Sequence, residues 1–383
     1  MKVVIAPDSF KESLTAIQVA DSIEKGFRTS FPDEDIVKIP MADGGEGTVK
    51  SLVDATNGTI VEKTVTGPLG EPVQAFFGLL GNGGKTAVIE MAAASGLHLV
   101  PADKRNPLVT TTRGTGELIS AALEQDVEKI IIGIGGSATN DGGAGMARAL
   151  GAKLLDEKGS EIGEGGGSLD ELASIDVSGM DPRLKLVKIE VACDVVNPLT
   201  GEKGASAIFG PQKGATPEMV SRLDKNLSHY ARIIEKDLGK SIGEVPGSGA
   251  AGGLGGGLLA FLSAELKRGI DIIIEATNFR ELVKDASLVI TGEGKIDSQT
   301  ISGKTPIGVA KTAKQYGVPV LALAGNVASD FEIFREHGID AVFSIVPGVI
   351  PLSDAFEYAA EYVERAAANI ASLIRIAKGK DFS

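Results

Sequence analysis

The chain has 383 residues, 50 of them glycine, about 13% against a usual share of roughly 7%. Charged residues at 23% and hydrophobic ones at 43% exclude wholesale disorder, and glycines that cluster without a period of three exclude collagen. A formal net charge of -13 with no basic stripe argues against nucleic acid or an anionic membrane surface as a partner. The length predicts two or three domains with a sizeable core. The single cysteine, Cys193, cannot form an internal disulfide, which points to a reducing, cytoplasmic setting.

In chain order, short β-branched runs alternate with longer helical patterns, the mark of an α/β protein. Val3 to Ala6 reads as a buried strand, too short for a signal-peptide core. Thr15 to Gln18 fits a capping box, and Ile17, Ala20, Ile23 and Phe27 follow at helical spacing. Gln74 to Gly78 and Thr86 to Met91, joined through the glycines of 81–84, predict a β-hairpin. The strand Ile130 to Ile134 leads into Gly135 and Gly136, then a helix over Gly143 to Leu150. Lys188 to Cys193 is strand-like and Glu218 to Leu238 an amphipathic helix. Gly249 to Ala264 is the most apolar stretch, yet shorter than the roughly 18 residues a membrane span needs.

The last hundred residues repeat the pattern. Leu288 to Ile290 is a strand; Thr305 and Pro306 read as N-cap and first helical position, with Gly317 as the stop. A strand over Val318 to Leu323, a short helix from Ser329 or Asp330 to His337, a strand over Ala341 to Val346 and a long helix over Phe356 to Ala377 complete the chain. Both ends thus share the βαβαβ rhythm of one doubly wound parallel sheet, whereas the middle does not. The expected organisation is a discontinuous domain over 1–70 and 281–383, with a second α/β domain inserted over 71–280.

Glycine concentrates in Met41 to Gly47, Gly133 to Gly145, Gly163 to Gly167, Gly247 to Gly257 and Gly292 to Asp297. Such a loop between a strand and a helix N-terminus offers amide donors to phosphate. Ile130 to Leu150 has that order, although a tight turn with close helix packing would leave the same pattern. Gly163 to Gly167 lacks a flanking strand and reads as an exposed loop. Gly247 to Gly252 matches G-x-G-x-x-G, but the preceding segment is a poor strand. The three histidines, His98, His229 and His337, all read as structural, so carboxylates or lysines must carry any proton transfer. Asp43, Glu46, Asp141, Asp194 and Glu293 supply hard oxygen ligands suited to Mg²⁺. Charge also collects where strands end, at Asp8 and Lys11, at Asp194, and at Glu293 with Lys295, the places where open α/β sheets hold ligands.

Taken together, Pro7 to Lys11, Met41 to Thr48, Gly114 to Leu118, Gly135 to Gly143, Cys193 to Leu199, Phe209 to Ala215, Gly249 to Gly257 and Thr291 to Thr300 resemble the bacterial glycerate kinase family of the two-domain type. The resemblance implies a discontinuous flavodoxin-like domain with an inserted α/β domain, and ATP-dependent phosphorylation of D-glycerate with Mg²⁺. It implies the 2-hydroxyl as acceptor, with the 3-hydroxyl as the alternative. For such chemistry, Gly135, Gly136, Ser137, Asn140 and Gly142, with Gly252, Gly253 and Gly255, are expected to cradle the triphosphate. Asp43 and Asp194 are the candidates for metal ligand or proton acceptor, Glu293 is a third metal candidate, and Asp8 and Lys11 are further catalytic candidates. Lys11, Lys213 and Lys304 are expected to neutralise phosphate, and Arg113 or Lys295 to hold the glycerate carboxylate. A nicotinamide-dependent oxidoreductase lacks its fingerprint after the first strand, and a sugar-acid binding protein leaves the acidic strand ends unexplained.

Overall fold

The computed structural model describes residues 1–81, 83–297, 300–302, 304–328 and 332–379. The chain divides into two compact units, one of Met1–Asp43, Lys50–Thr56 and Ile270–Ser383, the other of Gly44–Val49 and Asn57–Gly269. Among the described residues no helix is long and apolar enough to cross a membrane.

The first unit is built on a five-stranded parallel sheet in the order Ala341–Ser344, Val320–Val327, Leu288–Ile296, Lys2–Ile5, Asp35–Lys38. Its core joins Val3, Ile5, Ile290 and Leu323 to the buried faces of two helices. The helix Ala16–Arg28 starts at a genuine capping box, with Gln18 N–H donating to Thr15 Oγ1 and Thr15 N–H to Gln18 Oε1. It buries Val19, Ala20, Ile23 and Phe27. Its partner is the helix Ala359–Lys378, and they approach closely because position 26 is glycine. A Cβ there would lie 2.1 Å from the Glu364 carbonyl oxygen.

Several local readings shift. The helix at Thr305 spans Thr305–Lys314 and its N-cap is Lys304, because the Thr305 hydroxyl is bound to Asp8. The strand expected at Val318 to Leu323 runs over Val320–Val327. The long C-terminal helix is two, Leu352–Glu357 and Ala359–Lys378, broken at Tyr358. The start expected at Ser329 or Asp330 lies outside the described residues, and the described helix there is Ile333–Glu336.

The second unit carries a six-stranded mixed sheet in the order Glu265–Lys267, Lys188–Ala192, Lys129–Gly133, Thr86–Glu90, Pro72–Leu79, Thr59–Thr66. The first four strands are parallel and the last two antiparallel. The expected hairpin is present, with Phe77 opposite Ile89. Thr59–Thr66 pairs with the hairpin's outer strand, so this strand belongs to the second unit's sheet, and the unit takes in the chain from Asn57, ahead of the junction expected near 70. That strand is polar and largely exposed, which leaves no buried run to mark it. The run Gly163 to Gly167 is not an exposed loop throughout. Gly165 and Gly166 are buried, and a Cβ at Gly166 would lie 2.2 Å from the Asn140 carbonyl oxygen.

Candidate active site

In the first unit a cavity of about 400 Å³ opens at the carboxyl ends of Lys2–Ile5 and Leu288–Ile296, with Asp8, Lys11, Asp43, Glu293, Lys295 and Lys304 in its lining. Asp8 is pinned from several directions. Its N–H donates to the Gly292 carbonyl at 2.8 Å. Its carboxylate accepts from Ser9 N–H at 2.6 Å and from the Thr305 hydroxyl at 2.7 Å. Burial, reinforced by the neighbouring Asp43 carboxylate, pushes the Asp8 carboxyl up to about 6. Glu293 is 8% exposed and accepts a hydrogen bond from the Thr300 hydroxyl. Burial pushes it up to about 7, with Asp8 and Asp297 adding repulsion and Lys304 opposing.

The lysines divide by partner. Lys304 acts electrostatically on Glu293, and Lys11 is exposed at the cavity's rim. Lys295 is exposed and paired with Asp297 at 2.8 Å. With Glu12 also in the lining, carboxylates outnumber ammonium groups, so this pocket suits an anionic ligand only with a cation or proton added.

In the second unit, the strand Lys129–Gly133 leads through the glycine loop to the helix Ala144–Ala149. Gly135 and Gly136 are exposed, and Gly136 has φ +72°. Beyond them the loop turns inward, with Ser137, Thr139, Asn140 and Asp141 all buried. Asp141 accepts from Thr112 N–H at 2.9 Å, the Thr112 hydroxyl at 2.8 Å, Gly143 N–H at 3.1 Å and Gly145 N–H at 3.2 Å. It thus satisfies the amides that a phosphate would use at this helix N-terminus. Asn140 donates to Ser206 at 2.9 Å. Gly142 N–H donates to Gly252 at 3.1 Å, and a Cβ at Gly252 would lie 1.9 Å from the Thr139 carbonyl oxygen. Gly253 and Gly255 are buried too; at Gly255 a Cβ would meet the Gly247 carbonyl oxygen at 2.3 Å. Of the eight predicted phosphate-binding positions, Gly135 and Gly136 face outward, and the others are packed against the chain itself.

The remaining candidates are also placed. Lys213 is 1% exposed and donates to Ser137 Oγ at 2.7 Å and to the Thr139 carbonyl at 2.6 Å. Burial brings its ammonium down to about 7, against the attraction of Asp141. Arg113 is paired with Glu117 at 3.4 Å and Glu164 at 3.3 Å. Asp194 is exposed beyond the strand Lys188–Ala192 and accepts from Gly269 N–H at 3.0 Å. His229 contacts the Leu172 carbonyl at 2.6 Å, and His337 caps a helix end.

Sequence reading missed Asp141 as the residue that organises the loop, and Glu90. Glu90 closes the strand Thr86–Glu90 and accepts from Val49 N–H at 2.8 Å, with the Gly47 and Thr48 amides also bound. Its signal was available, a lone carboxylate ending the apolar run Ala87-Val88-Ile89.

Among the described residues, no three or more His, Cys, Asp and Glu side chains gather as a cage for a metal ion. Asp43 and Glu293 both line the cavity around Asp8, and Mg²⁺ in kinases is commonly held by one or two carboxylates together with substrate phosphates. The donor set of the first unit fits that mode.

The sequence profile of the glycerate kinase family matches residues 3–375. The chain belongs to the glycerate kinase family. It is accordingly a kinase, a phosphotransferase. It is 67% identical over 378 residues to the glycerate kinase of Bacillus subtilis strain 168, covering 99% of each chain. It is 60% identical over 376 residues to the glycerate 2-kinase of Escherichia coli K12, covering 98% of each. The crystal structure of a Salmonella typhimurium LT2 protein assigned as glycerate kinase 2 superposes with a TM-score of 0.92 at 56% identity, over 99% of this chain and 100% of that one. The α/β architecture expected from the sequence, with a parallel sheet in the first unit, is shared with that structure.

Proposed function

We propose that the chain transfers the γ-phosphoryl group of ATP to the 2-hydroxyl of D-glycerate, yielding 2-phosphoglycerate and ADP. The observation that carries this reading is Asp8, a carboxylate held at a strand end by Thr305 and raised to about 6, beside the lysines of the same cavity. A carboxylate raised toward neutrality is a better proton acceptor than an ordinary one and still ionised near pH 7. The glycerate oxygen attacks phosphorus, the bond to the ADP oxygen breaks, and the hydroxyl proton passes to Asp8. Lys11 and Lys304 offset charge on the phosphate oxygens, which is most of what phosphoryl transfer asks of a protein. Mg²⁺, held by Asp43 and Glu293 together with ATP oxygens, would supply the remaining neutralisation.

The exposed amides of Gly135 and Gly136 are assigned to nucleotide phosphate. Asp194 is assigned to the reaction as a second carboxylate, by its place at a strand end. The 2-position is supported by the name and the 60% identity of the Escherichia coli relative.

The experiment is phosphorus NMR of the product formed from D-glycerate, ATP and Mg²⁺. The resonance of 2-phosphoglycerate is expected; that of 3-phosphoglycerate would overturn the position, and no transfer would overturn the reading. Asp8→Asn is expected to lower kcat by about 100-fold or more. Asp43→Asn and Asp194→Asn should each lower it by a similar order, with the fold intact.

A further inference from the structure

Lys213 sits deeper than a phosphate-binding lysine should. Its side chain is 1% exposed, so its charge is not presented to a ligand at the surface. It comes from the short turn Pro211–Lys213, which ends at Gly214 with φ +91°. A Cβ at Gly214 would lie 2.4 Å from the Arg105 carbonyl oxygen, so the turn is locked against its neighbour and the direction of Lys213 with it. The ammonium group donates to Ser137 Oγ at 2.7 Å and to the Thr139 carbonyl at 2.6 Å. These two residues flank Ala138, directly after the exposed Gly135 and Gly136.

The same loop is held at its other end by Asp141, whose carboxylate binds Gly143 and Gly145 amides and Thr112. The Thr139 carbonyl is also the group against which Gly252 packs. Asp141 is the charged group that acts on Lys213. An ammonium and a carboxylate therefore grip the loop from within, and the two glycines at its tip are left open. Hydrogen bonds from a charged donor are roughly twice as strong as neutral ones, which makes the buried ammonium an effective clamp on a segment rich in glycine.

We propose that Lys213 is a positioning residue that fixes Ser137 and Thr139, and through them holds the Gly135–Gly136 amides in the geometry that receives nucleotide phosphate. This deepens the proposed function and rests on its assignment of that loop to the nucleotide. The role differs from neutralising the γ-phosphate, because Lys213 acts through the loop and touches no substrate.

The test is steady-state kinetics of three variants of the full chain. Lys213→Met keeps the length of the side chain and removes its charge. It is expected to raise KM for ATP by about tenfold or more, with KM for D-glycerate within about twofold. Lys213→Arg should recover part of the ATP affinity. In the native chain KM for ATP should rise between pH 7 and 9, as the ammonium is lost, and this rise should vanish in Lys213→Met. A Lys213→Met enzyme with unchanged KM for ATP, or with equal rises for both substrates, would overturn the proposal. Gly135→Val separates the two levels; Gly135 is exposed and a Cβ there meets only Gly45 Cα at 3.4 Å, and a melting temperature close to that of the native chain checks that the fold accepts the γ-methyl groups. If Gly135→Val leaves KM for ATP unchanged, the loop assignment itself fails. If Gly135→Val raises it while Lys213→Met does not, the role of Lys213 alone fails. Should Lys213→Met not fold, Lys213→Arg and the native pH profile carry the test, and a flat profile overturns the proposal.

Discussion

The Thr305 hydroxyl donates to Asp8 Oδ2 at 2.7 Å across 297 positions of sequence. The bond ties the first residue of one helix to a residue three positions beyond the end of the first strand, and it opposes the burial that raises Asp8. Hydrogen bonds to charged groups contribute about 1.5–3 kcal/mol. Thr305→Val, which keeps the shape and removes the donor, is therefore expected to lower kcat by about tenfold or more, with KM for ATP little changed. Steady-state kinetics with each substrate varied in turn checks this.

Asp8 at about 6 and Glu293 at about 7 also predict how stability depends on pH. Both bind a proton more tightly folded than unfolded, so their contribution is fully present below the ordinary carboxylate range and is lost as pH rises through 6 and 7. Glu190, held at about 2, stays ionised throughout that window, while Lys213, lowered to about 7, acts in the opposite sense as one group against two and leaves the sign unchanged. Without nucleotide or metal, the protein should melt at a higher temperature at pH 5.5 than at pH 7.5. Calorimetry of the native chain and of an Asp8→Asn, Glu293→Gln double variant checks it, the variant showing a flatter profile.

Glu190 is fully buried in the second unit's sheet, with Lys129 at 2.6 Å, Lys188 at 2.8 Å and Lys267 at 2.5 Å. Burial alone would raise its carboxyl, yet the three ammonium groups hold it down. Removing one partner of a buried ion pair costs about 3–5 kcal/mol; the lysines here are partly exposed, so Glu190→Gln should cost about 2 kcal/mol. Denaturant unfolding measures this, and turnover per folded molecule should be unchanged.

Glycines of similar appearance should respond differently to a methyl group. Gly252→Ala places a Cβ 1.9 Å from the Thr139 carbonyl oxygen at a residue with φ +69°, and should destabilise by about 2–3 kcal/mol. Gly135→Ala meets only Gly45 Cα at 3.4 Å, an ordinary contact, and should stay within about 0.5 kcal/mol of the native chain. Melting temperatures of the two variants give the comparison.

Much of this protein was legible in its linear pattern. The capping box at Thr15, the hairpin of Phe77 and Ile89, the glycine loop after Lys129–Gly133 and the parallel sheet of the chain ends all follow from local rules of spacing and capping. Asp8 was visible as a charge beyond a buried strand, and Glu293 as a charge after the apolar run Leu288 to Ile290, although the strand itself continues through Glu293 to Ile296. Other features carried no such mark. The polar strand Thr59–Thr66 announces itself only through its partner, and Thr305 reads as a cap until its hydroxyl is seen to bind Asp8.

The glycines divide along the same line. Their excess and their clustering are plain in the composition, and their motifs place the chain among the glycerate kinases. Which of them can meet a ligand depends on what packs against each, and that is set by contacts between segments far apart in the chain. Gly135 and Gly136 are open, whereas Gly142 and Gly252 press backbone on backbone. The raised carboxyls of Asp8 and Glu293 and the lowered ammonium of Lys213 have the same origin. Burial moves a pKa, and burial belongs to the folded chain.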